Sequence, residues 1–326
     1  RLPGSRLRAL GHLLHDDRSN PDAAALRRSQ HEPSHQRRTR DTAGISLALA
    51  AATIDGLHIH DVQRDASYTS GTGLHVTLGE LNVRNLLIQD TAGPGLVSSW
   101  STIDLGESRI EDAQFAGIAT LNSTSELSDI TIQGVTPDLN LAGGVGVFAT
   151  DVYLAQYLDP HAALKNNDPS VFTLRDSQVS DTTLGALFLE GNGSFQVLDN
   201  TLEGSEGLEV GDGQWQHGDA ILVRAVGLRT TSTWDEEEGE GLLISGNSIH
   251  DSRGAGVFLD GTSASLVDNT WTDNTLDLFQ QQCSDEVLVT LDQDQVNSSE
   301  LCPEHDYHTR DLHYTHYLLE AEAGEE

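Results

Sequence analysis

An eight-residue pattern recurs along this chain and limits its possible folds more than any other feature. Each copy has an apolar residue, four variable residues, a second apolar residue, one variable residue, and then Asp or Gly, as in "ISGNSIHD" at 244–251. Eight copies begin at positions 54, 83, 105, 127, 174, 197, 244 and 266. Since six copies end in Asp and two in Gly, we assign this last residue to a turn that every copy makes.

A second element is Gly followed by an apolar residue, as in "GLHV" at 73, "GIAT" at 117 and "GALF" at 185. In four cases this Gly stands ten residues before the next copy, and "GISL" at 44 keeps the same distance. The string "RRTRDTAGISLALAAA" at 37–52 imitates a signal peptide. Its spacing instead predicts that the apolar run after Arg40 is the first strand of the repeat.

The spacing between copies indicates the architecture. Most copies follow one another at 22 or 23 residues, apart from a first spacing of 29 and two of 47. This period is too short for a propeller blade and suits one coil of a parallel β-solenoid, whose apolar side chains stack inward from coil to coil. We expect Asn200, Asn247 and Asn269 to form a hydrogen-bonded ladder at the turns and to tolerate left-handed backbone.

With this repeat, the chain resembles the right-handed parallel β-helix family, which has the pectin-lyase-like fold. The resemblance covers residues 44–282 and implies an all-β, right-handed parallel β-helix of about eight to ten coils with terminal caps. Residues 1–43 are then an Arg-rich helical cap or disordered leader, and residues 283–326 a C-terminal cap with an acidic tail. Because the fold hosts lyases, hydrolases, epimerases, adhesins and passive stalks, it does not name an activity.

The two long spacings mark the candidate functional region. Each is one coil with 25 inserted residues or two coils of which one is degenerate. We favour insertions, because residues 135–170 and 205–241 have loop-like sequences. The two interrupted copies are those that end in Gly134 and Gly204, so we expect both insertions to leave from equivalent corners. Long loops on a rigid scaffold often carry function, so the groove between them is the primary predicted site.

The first insertion contains "YLDPHAALK", which resembles the D-P-H-D signature of the mannuronan C5-epimerases of this fold, with Ala162 in place of the final acid. The resemblance implies that Asp159 or His161 accepts a proton, and we assign Lys165 to substrate binding. An alternative is a short helix, since Asp followed by Pro is also a good helix start.

The second insertion contains "GDGQWQHGDAILV" at 211–223, where a Trp lies beside carboxylates and a His. This composition suits a sugar site, and a turn with a surface Trp is the alternative. We predict catalytic roles for His217 and Asp219, and substrate binding by Asp212, Trp215 and Arg224.

Two further predictions concern a metal and a disulfide. Asp235, Glu236 and Glu237 begin an acidic run whose oxygens suit calcium, although a solvated acidic loop has the same composition. Cys283 and Cys302 flank the start of the tail, and a disulfide between them would pin the tail to the solenoid in an exported protein.

The charge balance excludes one class of partner. The formal net charge is −33, and nine of the arginines lie within residues 1–43. A nucleic-acid footprint needs the opposite sign. The chain has no run of 18 apolar residues, so the sequence predicts no transmembrane helix.

We expect an extracellular or cell-surface protein that binds a polysaccharide or cell-surface glycan, or is structural. The alternative is a polysaccharide lyase, epimerase or glycoside hydrolase acting in the groove.

Overall fold

The structure is a computed structural model that describes residues 8–9, 43–64, 71–138, 143–150, 171–191, 193–205, 207–211, 214–216, 218–224, 235, 241–281, 289–292 and 296–301. These residues form strands, turns and bends, and no helix occurs among them. Within this part of the chain, no helix is therefore available to span a membrane. Most of the Arg-rich segment and the tail beyond Leu301 lie outside the described residues.

Two large sheets contain nearly all of the described strands, sheet A with 16 and sheet B with ten. A complete coil contributes one strand to sheet B and then two consecutive segments to sheet A, in a first and a second row. Neighbouring coils pair in parallel, and only the short first strand joins sheet A antiparallel. This topology is the parallel β-helix that the repeat predicts.

The strands of sheet B are β2 Ala43–Ala48, β5 Thr72–Thr77, β8 Leu96–Ser99, β10 Ala116–Leu121, β12 Val145–Thr150, β15 Gly185–Glu190, β20 Asp219–Arg224, β23 Ala255–Asp260, β26 Leu276–Gln281 and β28 Ser298–Leu301. The first row of sheet A consists of β1 Arg8–Ala9, β3 Ala51–Asp55, β6 Glu80–Arg84, β9 Thr102–Ala113, β11 Thr124–Val135, β13 Val171–Arg175, β16 Ser194–Leu198, β21 Leu242–Ser245, β24 Ala264–Val267 and β27 Val289–Leu291. The second row contains β4 His58–Val62, β7 Leu87–Thr91, the second halves of β9 and β11, β14 Gln178–Thr182, β17 Thr201–Glu203, β22 Ser248–His250 and β25 Thr270–Thr272. A separate antiparallel hairpin pairs β18 Leu208–Gly211 with β19 Gln214–Gln216.

The first apolar residues of the eight copies form one continuous row in the core. Each pairs in register with its counterpart in the next coil, and none is more than 3% exposed. The row consists of Ile54, Val83, Leu105, Leu127, Leu174, Val197, Ile244 and Leu266. Since burying one such side chain stabilises a fold by about 1.5–3 kcal/mol, this row anchors the register of the solenoid.

The acidic residue that ends six of the copies has a structural role, as predicted. Its φ lies between 52° and 58° in all six, which is the left-handed region. Asp adopts this region more readily than most residues because its short polar side chain bonds to nearby backbone. These residues are Asp61, Asp90, Asp112, Asp181, Asp251 and Asp273.

The glycine of the second element is required by close packing between coils. A Cβ atom on Gly117 would lie 2.5 Å from Ile132 Cγ2 and 2.7 Å from the Gly146 carbonyl oxygen. We call the position of this glycine in each coil the glycine slot. The prediction that Gly185 occupies the slot was wrong, because Gly185 pairs with Val145 and Asp219, one residue before it. Ala186 occupies the slot in that coil, and its carbonyl oxygen is the one that a Cβ on Gly146 would approach.

The asparagine ladder is confirmed, with one correction. The side-chain Oδ1 of Asn247 accepts hydrogen bonds from the backbone and side-chain amides of Asn200, both at 3.0 Å. Asn269 accepts the same pair from Asn247, again at 3.0 Å. The left-handed residues are the preceding ones, such as Asp199 and Asp268, and not the asparagines themselves.

We predict that Asn247→Ala lowers the free energy of unfolding by about 3 kcal/mol, because it leaves several buried polar groups without partners. Asn247 is fully buried and also donates to the Val197 carbonyl oxygen at 2.8 Å. Urea unfolding measures the change. The matched control is Asn82→Ala, which removes an exposed bond to Asp104. Equal effects of the two substitutions would contradict the role of the ladder.

A third corner of the coil carries apolar residues in left-handed conformation. Leu49, Leu78 and Trp100 occupy it in successive coils, with φ of 51°, 52° and 47°, and all three are exposed. The same corner has Asn122 and Gly261 in other coils. Because a left-handed backbone costs an ordinary residue about 1–2 kcal/mol, this corner is strained in the N-terminal coils.

Relief of this strain gives a second prediction. Leu78→Asn should raise the free energy of unfolding by about 1 kcal/mol, since Asn tolerates φ of 52° and the leucine is 54% exposed. Thermal unfolding measures the difference. Leu291→Asn is the control, because Leu291 is 40% exposed and lies in the strand β27 without positive φ. No gain at Leu78, or an equal gain at Leu291, would refute the explanation.

Candidate functional site

The candidate site is the outer face of sheet B around β15. Extra residues of the two long spacings fall both before and after β12 and β20, at the two ends of each strand. The sequence interpretation placed each insertion at a single corner, which is wrong. The strands of sheet B keep their register from Val145 to Gly185 to Asp219, so extra residues are accommodated only at the corners. The regular strand β15 therefore lies between two strands that are flanked by long chain excursions.

Apolar side chains line the outer face of this part of sheet B. Leu187 and Leu189 belong to the core, so Phe188 between them faces outward. Its counterparts in the neighbouring coils are aligned with it by the pairing of the strands. We call this row the aromatic strip, and it consists of Phe148, Phe188, Leu222, Phe258 and Phe279.

The aromatic strip is a hydrophobic cluster distinct from the core. The ring centroids of Phe148 and Phe188 are 5.3 Å apart, and those of Phe258 and Phe279 are 5.0 Å apart. Leu222, Phe258 and Phe279 are buried, whereas Phe148 and Phe188 are partly exposed. The strip is therefore most accessible at β12 and β15, between the excursions.

A polar row runs beside the aromatic strip, two residues further along each strand. Strand pairing aligns its members, which we call the charged row: Thr150, Glu190, Arg224, Asp260 and Gln281. Arg224 Nη1 lies 3.7 Å from Glu190 Oε1, and Arg224 Nε lies 4.0 Å from Asp260 Oδ2. Thr150 Oγ1 donates a hydrogen bond to Glu190 Oε2 at 3.4 Å.

The charged side chains of this row are buried, and each lies beside a partner of opposite charge. Only 4% of the Glu190 side chain, 4% of the Asp260 side chain and 14% of the Arg224 side chain are exposed. Buried charges are costly to desolvate and persist where they are paired. The site thus holds paired charged groups below its surface, beside the aromatic strip, and Arg224 is the most exposed of the three.

Asp219 lies at the other end of β20 from Arg224. Its Oδ1 accepts a hydrogen bond from the Ala255 backbone amide at 2.7 Å, and only 3% of the residue is exposed. Burial raises the pKa of this carboxyl to about 7, although the Ala255 amide partly opposes the shift. Asp219 therefore gains or loses its proton near neutral pH. Asp219 lies in register with Gly185 of the preceding coil.

A further carboxyl with altered titration lies across the corner, on the second row of sheet A. Burial raises the pKa of Glu203, and the negative charges of Asp181 and Asp251 raise it further, while His250 opposes them. Glu203 ends the strand β17, just before the chain leaves sheet A towards the hairpin β18–β19.

The titration of Asp219 gives a third prediction. Because its folded-state pKa is raised from 3.8 to about 7, the native state is favoured when this carboxyl is protonated. Its contribution to stability is present below about pH 4 and is lost as pH rises to about 7, by about 2–4 kcal/mol. Asp219→Asn keeps the acceptor for Ala255 and removes this loss. Thermal unfolding between pH 4 and 8 should therefore show a variant whose advantage over the natural chain grows with pH.

The control is Asp90→Asn, which makes the same chemical change at an exposed turn. A gain for Asp219→Asn that does not grow with pH more than that of the control would contradict the effect of burial on Asp219.

Two of the residues predicted from sequence, Asp219 and Arg224, lie on the same strand but at its opposite ends, so the structure does not bring them together. Asp235 is exposed, and Trp215 belongs to β19. Among the described residues, no three His, Cys, Asp or Glu side chains are placed to hold a metal ion. The other predicted residues lie outside the described part of the chain: Asp159, His161, Lys165, Asp212, His217, Glu236, Glu237, Cys283 and Cys302.

Sequence interpretation missed the residues that dominate this face. Phe188, Glu190 and Asp260 belong to none of the motifs that the sequence analysis singled out as a site. The strand period contained a signal. In "GVFA" successive side chains point alternately inward and outward, so the second residue after the glycine points outward and the third points inward. An aromatic residue at the outward position of several coils, followed two residues later by a charge, marks the strip and the row.

Comparison with known proteins adds little to this geometry. No family model matches the chain, and no protein with a curated description matches it. A solved structure of the catalytic domain of a GH87 alpha-1,3-glucanase in complex with nigerose is 12% identical, with a TM-score of 0.34 over 77% of this chain and 56% of that one. The A-module of the Azotobacter vinelandii mannuronan C-5 epimerase AlgE4 is 13% identical, with a TM-score of 0.25 over 79% and 78% of the two chains.

The chain thus spans little more than half of the glucanase domain that it matches. At these identities and scores the similarity does not bear on activity. The fold rests on the strand pairing of this chain, and the site on its own side chains.

Proposed function

We propose that the protein binds an extended glycan on the outer face of sheet B, along the aromatic strip. The observation that carries this proposal is the pairing of that strip with the charged row across β12, β15 and β20. A glycan-binding role suits an exported protein at the cell surface. The calcium site at Asp235, Glu236 and Glu237 and the disulfide between Cys283 and Cys302 stay predictions.

The aromatic strip supplies the apolar part of such a site. Sugar rings have faces of C–H groups that pack on aromatic side chains, and Phe148 and Phe188 are the partly exposed members of the strip. Neighbouring coils lie about 4.8 Å apart, which is close to the length of one sugar ring in a polysaccharide. The adjacent coils of β12 and β15 therefore offer two successive sugars equivalent aromatic rings.

The charged row supplies the directional part. Arg224 is a donor and the most exposed member of the row, so a sugar hydroxyl can accept a hydrogen bond from it, while Glu190 and Asp260 hold it in place. Because Arg224 already lies between two carboxylates, the row does not reorganise when a ligand arrives. Preorganised polar groups of this kind favour binding, since less side-chain freedom is lost.

A second candidate function is hydrolysis or another proton-transfer reaction on the same glycan. Glu190 and Asp260 lie within 4.0 Å of opposite sides of one guanidinium, and most glycoside hydrolases use two carboxyl groups flanking the scissile bond. The alternative polysaccharide lyase, epimerase or glycoside hydrolase would act in the same groove. Glycan binding alone requires no such chemistry.

The fourth prediction tests the strip. Phe188→Ala should weaken glycan affinity by about tenfold to a hundredfold, because it removes the partly exposed ring at the centre of the site. Binding of the full chain to a glycan array, followed by calorimetry on the best glycan, measures the loss. Val97→Ala is the matched control, since Val97 has the corresponding partly buried position in β8, outside the strip.

The same samples distinguish binding from catalysis. New reducing ends, unsaturated sugars or altered sugar stereochemistry after incubation would establish the enzymatic alternative, and Glu190→Gln should then abolish them. Unchanged glycan with retained binding supports the first function. No binding to any glycan, or equal loss in Phe188→Ala and Val97→Ala, would refute the proposed site.

A further inference from the structure

We infer that the ligand of this face is an uncharged glycan, in contrast to the uronate polymers that some proteins of this fold process. The inference rests on the proposed glycan-binding function and concerns the chemical class of the glycan. It follows from the pairs that the cationic groups of the chain already form with carboxylates.

Most arginine side chains of the described solenoid are paired with carboxylates. Between residues 43 and 281 the structure describes six arginines, and five of them lie within 4.0 Å of a carboxylate oxygen. The sixth, Arg253, also interacts with other groups. The five pairs are Arg64 with Asp138, Arg84 with Asp104, Arg109 with Glu111, Arg175 with Glu126, and Arg224 with Glu190.

At the site itself one arginine lies between two carboxylates. Arg224 is the cation of the charged row, and it has Glu190 on one side and Asp260 on the other. A carboxylate of a uronate would have to compete with both for one guanidinium, inside a region where charges are poorly screened. The row as a whole has one more negative charge than positive charges.

The sequences of the excursions next to β12 and β20 also contain more acidic than basic residues. Residues 151–170 contain one Lys and three Asp, and residues 225–240 contain one Arg and five acidic residues. Residues 205–218 contain three acidic residues and no Lys or Arg. None of these segments has a net positive charge to offer an anionic polymer, and the net charge of −33 repels it at long range.

An uncharged glycan avoids these costs. Its hydroxyl groups bond to acceptors and donors alike, and its ring faces pack on the aromatic strip without a change in net charge. The pairing inside the charged row then remains intact when the ligand is bound.

The test measures binding of the full chain to three classes of soluble polymer at 50 and 500 mM NaCl. These are neutral glucans, mannan and xylan; the uronates polygalacturonate and alginate; and the cationic polymer polyglucosamine. We expect a neutral polymer to bind with a Kd that changes less than about twofold with salt, because no ionic contacts are screened. We expect no uronate binding at either salt concentration.

A charge-switched variant localises the effect to the site. In Glu190→Gln/Asp260→Asn, Arg224 is released from both carboxylates, so uronate affinity at 50 mM NaCl should rise by about tenfold or more. Glu126→Gln/Asp104→Asn is the matched control, because it removes two carboxylates from the pairs of Arg175 and Arg84 on sheet A. The control should leave uronate binding unchanged, and circular dichroism verifies that both variants fold.

The outcomes distinguish the inference that the glycan is uncharged from the glycan-binding function on which it rests. Tight, salt-sensitive binding of a uronate or of polyglucosamine, with neutral polymers excluded, would overturn the inference and leave glycan binding standing. An equal gain of uronate affinity in both double variants would also overturn it, since the effect would then be one of net charge. Absence of binding to all three classes would overturn the glycan-binding function and the inference with it.

Discussion

Stacking of one coil on the next, held by parallel backbone hydrogen bonds, is the interaction on which the rest of this structure depends. It aligns the first apolar residues of the eight copies in one buried row, from Ile54 to Leu266. A shift of one residue in any strand would turn its inward side chains outward. Because the core forbids that shift, every outward side chain also has a fixed partner in the neighbouring coil, and outward rows such as the charged row become possible.

The corners of the coils accommodate the extra residues that the strands cannot. Left-handed residues turn the chain at each corner, and the repeat supplies Asp, Asn or Gly at most of them. Extra residues enter at these corners on both sides of β12 and β20 while the strands keep their register. The scaffold therefore confines sequence variation to the rim of one face, and that face carries the aromatic strip and the buried ion pairs.

The electrostatics of the site reflect the same geometry. In a solenoid, side chains at equivalent positions are brought about 4.8 Å apart whether or not their charges agree. Along the charged row the order is Glu190, Arg224, Asp260, so each charge has an opposite neighbour. An order of like charges would be costly at this burial, and the alternation both stabilises the row and leaves little attraction for a charged ligand.

The sequence by itself determined the periodic features, because they need only local information repeated at a constant interval. The apolar row, the turn at Asp61 and its equivalents, and the ladder of Asn200, Asn247 and Asn269 all follow from that interval. Only the tertiary structure decided which non-periodic residues meet. Glu190, Arg224 and Asp260 stand at irregular distances along the chain, since excursions of different length separate their coils, and strand pairing alone brings them into one row. The slot of Gly185 was misassigned for the same reason: a Gly–Ala pair fits the sequence pattern in either register, and packing against the neighbouring coil selects one.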